Sequence, residues 1–236
     1  MEQFSRTQML IGEDGLERLR QSKVMIFGVG GVGSFTVEAL ARAGVGSLVL
    51  VDFDLVDVTN INRQLPALHS TIGKYKVEIL RERIHDINPR AKVITYKEKV
   101  SAENVRDIFN ENPSYVVDAI DMISGKLAII ETALQLKIPI ISAMGAGNRL
   151  DPSKIEIGDI SETAGSGCSL ARVMRRELKK RGITQGVLAV FSTEQITRFN
   201  TDNNTASRTL GSISFVPSVA GLFLAAKVAN DLLKQT

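Results

Sequence analysis

The 236 residues predict an α/β fold: a doubly wound, Rossmann-like parallel sheet with an N-terminal helical arm and a C-terminal extension. Three observations point there. Short β-branched runs alternate with longer amphipathic stretches, the pattern of strands covered by helices. A glycine cluster, Gly28-Val-Gly-Gly-Val-Gly33, separates the first such run from the first long amphipathic stretch. The composition, 44% hydrophobic and 23% charged, is that of an ordinary globular domain and excludes disorder for the bulk of the chain.

In chain order, Glu13–Gln21 reads as a short charged helix within an arm of residues 1–22. Lys23–Phe27 is the first strand, and Val32–Ala43 the first covering helix, closed by the turn Gly44–Gly46. Strand Ser47–Asp52 follows, then helix Lys74–Asn88, stopped by Asn88-Pro89. Strand Ala91–Tyr96 leads to helix Ser101–Asn110, stopped by Asn112-Pro113. Strand Tyr115–Ala119, helix Ser124–Leu136 and strand Ile138–Ser142 complete a nucleotide-binding core over residues 23–150. The rhythm then breaks. Residues 151–236 read as an extension of the same single domain. It holds a Gly/Ser segment (Ala164–Ser169), a basic helix (Leu170–Arg181), a strand (Val187–Phe191), a polar stretch (Thr197–Ser212) with the composition of a mobile loop, and an apolar helix (Pro217–Leu233).

Composition removes several classes of function. One cysteine rules out a disulfide framework and a four-cysteine zinc site. The absence of tryptophan, with 5% aromatics, argues against an aromatic stacking surface as the main device. A net charge of +3 is mild but leaves room for a local basic patch. The opening MEQFSRTQML lacks the apolar centre of a signal peptide. Phe215–Ala226 covers about half of a membrane span before Lys227, Asn230 and Asp231. A cytoplasmic protein without a membrane partner is expected.

The glycine loop follows a strand and opens a helix, where a tight backbone can approach a phosphate and free N–H groups meet its charge. Gly28, Gly30, Gly31 and Gly33 are therefore candidate nucleotide contacts. Asp52 ends the next strand about 20 residues on, placed to accept hydrogen bonds from ribose hydroxyls. A nicotinamide-dependent dehydrogenase wants the same loop and acid, but would also need a group for proton transfer. His69, in a loop, and His85, on a charged helix, read as solvated, and no tyrosine is followed four residues later by lysine. After Asp52 come Asp54, Asp57, Asn60, Asn62, Arg63 and Gln64, then Lys74 and Lys76, with Asp118 and Asp121 beyond the fourth strand. Cations for phosphate charge and an acid for a divalent metal suit a nucleoside triphosphate. Lys74 and Asp118 fit a solvated loop or helix end equally well.

The glycine loop, Asp52-Phe53-Asp54, Asn60-Ile-Asn-Arg-Gln64, Lys76 and Asp121 together resemble the adenylating enzymes related to ubiquitin-activating enzyme, over about Phe4 to Met144. The resemblance implies carboxylate adenylation with ATP and Mg²⁺ by a homodimer. It implies that Gly30 and Gly31 line the phosphates, Asp52 binds ribose, Arg63 and Lys76 contact the triphosphate, and Asp121 holds magnesium. Arg6, in Phe4-Ser-Arg-Thr-Gln8, matches an arginine that reaches the partner subunit's nucleotide. The sulfur-carrier activators of this group carry two Cys-x-x-Cys pairs for zinc; with Cys168 alone, no zinc is expected here. Gly145–Pro152, the basic helix to Gly182 and Phe191–Glu194 resemble instead the tRNA threonylcarbamoyladenosine dehydratases, a branch without the zinc pairs. That likeness extends over essentially the whole chain. It implies a tRNA substrate, and leaves open a monovalent cation and a sulfur-transfer protein as partner.

Six cations in ten positions, Arg172, Arg175, Arg176, Lys179, Lys180 and Arg181, suit phosphate contact, with Arg172, Arg176 and Lys179 or Lys180 on one helix face. A charged solvent face is the alternative, and the dehydratase resemblance favours tRNA. Cys168, in Gly165-Ser-Gly-Cys-Ser169, reads as an exposed spectator thiol in a flexible segment. Two other functions stay open. One is an activator of a sulfur-carrier or ubiquitin-like protein, with a thioester at Cys168; the other is a Rossmann nucleotide-binding or redox protein that does not adenylate.

Overall fold

The computed structural model describes residues 2–195 and 210–234. Seven strands form one sheet: β1 (Lys23–Phe27), β2 (Ser47–Val51), β3 (Lys92–Tyr96), β4 (Tyr115–Asp118), β5 (Ile140–Ala143), β6 (Ile155–Asp159) and β7 (Leu188–Ser192). Their order is β3-β2-β1-β4-β5-β7-β6. Every neighbouring pair is parallel except the last, where β6 runs antiparallel to β7 at the edge. The helices are α1 (Ser5–Gln21), α2 (Gly33–Ala43), α3 (Lys76–Ile87), α4 (Val105–Phe109), α5 (Ile123–Gln135), α6 (Ser169–Lys180) and α7 (Phe215–Lys234).

Central strands of a covered sheet are apolar on both faces, which is why β1 and β2 read as unbroken hydrophobic runs. Val24, Ile26, Leu48 and Leu50 join the core under α2, α3 and α7, while Met25, Phe27, Val49 and Val51 join the core under α4, α5 and α6. The alternation follows from successive side chains pointing to opposite faces. The apolar C-terminal helix α7 buries Val216, Ala220, Leu224, Val228 and Leu232 in the first of these cores. It lies close against α2, where the Thr36 hydroxyl donates to the Gly221 carbonyl at 3.0 Å. By length and composition α7 could cross a membrane; its apolar side is spent on the sheet instead.

Several elements differ from the sequence expectation. α1 begins at Ser5 rather than Glu13, and Gly12, at φ 74°, kinks it without ending it. α3 starts at Lys76, because Leu55 and Tyr75 bridge the two ends of the preceding loop. α4 is a short Val105–Phe109 segment, since the Asn104 side chain accepts from the Ser101 N–H at 2.8 Å and holds a turn where helix was expected. The edge strand β6 was not anticipated: its exposed Glu156 and Ile157 give no clean apolar alternation. The polar stretch Thr197–Ser212 lies, over residues 197–209, outside the described residues.

Asp118 is neither solvated nor at a helix end. It and Lys126 of α5 are both fully buried and paired at 2.8 Å. The Ser142 hydroxyl of β5 donates to the same carboxylate at 2.6 Å, and Lys126 donates to the Ile120 carbonyl at 2.9 Å. Removing one member of a buried pair strands the other charge. Lys126→Met should cost about 3–5 kcal/mol in urea unfolding. Adding Asp118→Asn, which removes the stranded charge, should restore part of that loss.

Candidate active site

The carboxyl ends of β1, β2, β4 and β5 open into a crevice of about 860 Å³. It lies where the strand order reverses between β1 and β4, the usual binding position in an open α/β sheet. The glycine loop forms its floor, and the four glycines divide into two kinds. Gly28 has φ +82°, and a Cβ on Gly33 would fall 1.8 Å from the Gly28 carbonyl oxygen, so the turn itself requires glycine at both. A Cβ on Gly30 would meet nothing nearer than the Gln64 amide at 3.6 Å, and one on Gly31 nothing nearer than 3.4 Å. The protein leaves room above these two, so their lack of a side chain suits a close ligand rather than the fold.

Asp52, just past β2, is buried on the crevice wall. One carboxylate oxygen accepts from the Val29 N–H at 2.8 Å and the other from the Asp54 N–H at 2.9 Å. Burial pushes its carboxyl above the ordinary value, against those two backbone hydrogen bonds and the Lys76 charge. A carboxylate has about four acceptor positions, so two bonds orient Asp52 and leave capacity for hydroxyl donors.

Lys76 opens α3, is 4% exposed and is paired with Asp54 at 2.7 Å. Both line the crevice. Arg63, half-buried beside Gly31, donates to the Thr59 carbonyl and the Asn62 side chain, with no acid partner among the described residues. Gln64 is buried next to Gly30, and its side-chain oxygen has no hydrogen-bond partner there. Asp121 is exposed and lines the crevice at the loop after β4.

Two expected contacts lie elsewhere. The Asn60 side chain accepts from the Asp57 N–H at 3.1 Å in a reciprocal cap, and Asn60 does not line the crevice. Arg6 is exposed on α1 and is not part of the crevice of its own chain.

Cys168 departs from the expectation of an exposed, flexible thiol. It is 7% exposed and caps the start of α6, its sulfur accepting from the Ala171 N–H at 3.4 Å. Cys168, Ser169 and Leu170 line the crevice, so the positive end of the α6 dipole faces it. The basic face of α6 therefore starts at the crevice and leads away from it. Of its six cations, Arg176 and Lys180 pair with Glu177, and Arg181 with Glu131 and Glu177. Arg175 donates to the Thr163 hydroxyl. Arg172 and Lys179 are exposed without an acid partner among the described residues.

Sequence reasoning missed two buried cations, Lys126 and Arg149. Arg149 is 2% exposed and lines the crevice on the loop after β5. Its signal was its position, a lone arginine among glycines just beyond the carboxyl end of a strand.

Similarity to known proteins agrees with this geometry. The chain is 45% identical over 245 residues to the tRNA threonylcarbamoyladenosine dehydratase of Bacillus subtilis, covering 99% of this chain and 96% of that protein. Identity to the protein of the same name from Haemophilus influenzae is 38% over 247 residues, covering 99% and 94%. The fold is similar to that of the E. coli tRNA N6-threonylcarbamoyladenosine dehydratase in complex with AMP, at TM-score 0.90 and 34% identity, covering 98% and 94% of the two chains. The structure of that dehydratase in complex with ATP gives a TM-score of 0.89. The ThiF family matches residues 4–235, from the buried Phe4 through the whole sheet to the end of the C-terminal helix, and the chain belongs to that family.

Proposed function

We propose that this protein is an ATP-dependent tRNA threonylcarbamoyladenosine dehydratase, which adenylates the threonyl carboxylate of its substrate so that the activated group closes on itself. The observation that carries this reading is a crevice with ligand-accessible glycines, an oriented Asp52 and an arginine without an acid partner among the described residues. It occurs in a chain 45% identical, over nearly its full length, to a dehydratase. The similar E. coli dehydratase has been seen with ATP and with AMP, the nucleotide consumed and the nucleotide released by adenylation.

In this reaction a threonyl carboxylate oxygen attacks the α-phosphorus of ATP and pyrophosphate leaves. An internal nitrogen of the threonylcarbamoyl group then attacks the activated carbonyl, and AMP departs with the carboxylate oxygen. The substrate loses one water overall. Asp52 holds the ribose, and the N–H groups over Gly30 and Gly31 approach the phosphates. Arg63 and Lys76 meet the charge that develops on the leaving pyrophosphate. Among the described residues no three His, Cys, Asp or Glu side chains converge on a metal position. Mg²⁺ is commonly held by one or two carboxylates together with substrate phosphates, and the exposed Asp121 fits that requirement. Magnesium would neutralise phosphate charge there.

AMP and pyrophosphate should form only with threonylcarbamoyl-modified tRNA. Asp52→Ala should weaken ATP binding by about 1.5–3 kcal/mol, the worth of a charge-assisted hydrogen bond. Tight NADH binding without ATP binding would refute the reading.

The protein is further proposed to act as a two-fold homodimer in which Arg6 completes the partner's site. Arg6 is exposed and does not line its own crevice, and Met9 and Leu10 beside it on α1 are more than four-fifths exposed. Mixing Arg6→Ala chains with Asp121→Ala chains should recover part of the activity, because some heterodimers retain one complete site. A fully active monomer in sedimentation would contradict this.

The tRNA is proposed to lie along α6, with Arg172, Arg175, Arg176, Lys179, Lys180 and Arg181 as its landing face. Arg172 and Lys179 are seven residues apart on one side of the helix, exposed and without an acid partner among the described residues. Their double alanine variant should lower the slope of log affinity against log salt by roughly 0.7–0.9 per lost contact, measured by filter binding. Glu177→Gln, which releases Arg176 and Lys180, should raise tRNA affinity at low salt.

A further inference from the structure

Arg149 is 2% exposed, and its Nη2 donates to the Ser166 carbonyl at 2.8 Å. Among the described residues, its buried Nε and Nη1 have no hydrogen-bond partner and no acid pairs with it. The carboxylate of Glu194, attached to the same loop, is taken by the N–H groups of Leu150 and Asp151 at 2.9–3.0 Å. A buried charge without a counter-charge is costly. A neutral donor would serve if the only task were to hold Ser166.

The position of Arg149 says what kind of anion it meets. Arg63 and Lys76, the cations for the leaving pyrophosphate, both come from the connection after β2. Arg149 comes from the loop after β5, three strands along the sheet, or about 14 Å at 4.8 Å per strand. In phosphoryl transfer the attacking and leaving oxygens lie roughly in line on opposite sides of phosphorus. The side opposite the pyrophosphate cations is therefore the side from which the nucleophile enters. The positive end of α6, at Ser169 and Leu170, faces the same end of the crevice.

We propose that Arg149, assisted by the α6 N-terminus, binds the substrate carboxylate that attacks the α-phosphorus. The proposal rests on the dehydratase reading and deepens it. The guanidinium supplies the unpaired Nε and Nη1 hydrogens to the carboxylate, and Ser166 fixes the guanidinium through Nη2. The group orients the nucleophile and takes no proton.

The test compares binding of tRNA bearing the threonylcarbamoyl carboxylate with the same tRNA in which that carboxylate is converted to its neutral amide. Wild-type protein should prefer the carboxylate by about tenfold to a hundredfold, the range for hydrogen bonds to a charged group. Arg149→Gln should bind the two tRNAs equally, and Arg149→Lys should keep part of the preference. ATP affinity, read at the far end of the crevice, should stay unchanged in both variants, which a collapsed fold would not allow. A preference undiminished in both variants would overturn the proposal alone. A wild-type protein indifferent to the carboxylate would overturn the proposal and the dehydratase reading together.

Discussion

The fully buried pair between Asp118 and Lys126 holds the centre of this structure. It sits at the end of β4, beside the reversal of strand order that opens the crevice. Through Ser142 it reaches β5, and through the Ile120 carbonyl it fastens the loop that carries Asp121. A buried ion pair adds little net stability, because desolvation offsets much of the attraction. Its effect here is positional: four polar groups, each with a partner inside the protein, allow one arrangement of β4, α5 and β5. Asp121 and the opposite wall of the crevice inherit that arrangement.

Charge is distributed unevenly around the crevice. On the β2 side, Asp54 already neutralises Lys76, and Asp52 is held by two backbone N–H groups. On the β5 side, Arg149 has no acid partner among the described residues, and a helix N-terminus faces inward. The β2 side also holds Arg63, which has no acid partner among the described residues but bonds the Thr59 carbonyl and the Asn62 side chain, whereas Arg149 is buried with two donor nitrogens unpaired there.

The C-terminal third of the chain is part of the same core rather than an appendage. β7 continues the sheet beside β5, and α7 covers the face shared with α2 and α3. This placement puts the start of α6 at the crevice while its cations run outward. At 1.5 Å per residue, Ser169 and Lys179 are about 15 Å apart along the helix axis. A polyanion lying on α6 could therefore direct one nucleotide into the crevice while its backbone stays outside. Glu177 tempers that face by engaging Arg176, Lys180 and Arg181.

Local chemistry made much of this legible in advance. Apolar runs marked β1, β2 and β4, glycine marked the turn after β1, and spacing marked Asp52 as the acid at the end of the next strand. These features depend on residues close in sequence, so pattern alone determined them. The edge strand β6 was hidden, because an edge beside one neighbour does not need the apolar alternation of a covered strand. The long reach of α1 was hidden by Gly12, which kinks a helix as readily as it ends one. Cys168 looked exposed among glycines and serines, yet folding makes it a helix cap in the crevice wall. Lys126, Asp118 and Arg149 carry no local sign of burial, since a charged residue reads as solvated until the groups around it are known. Their roles depend on side chains from β4, α5 and β5 and on a backbone carbonyl in the loop before α6, up to 24 residues apart. The sequence by itself determined the parallel strands, the glycine turn and the acid at the end of β2 that faces the crevice; tertiary packing decided which charges lose water and which of those are left without a partner among the described residues.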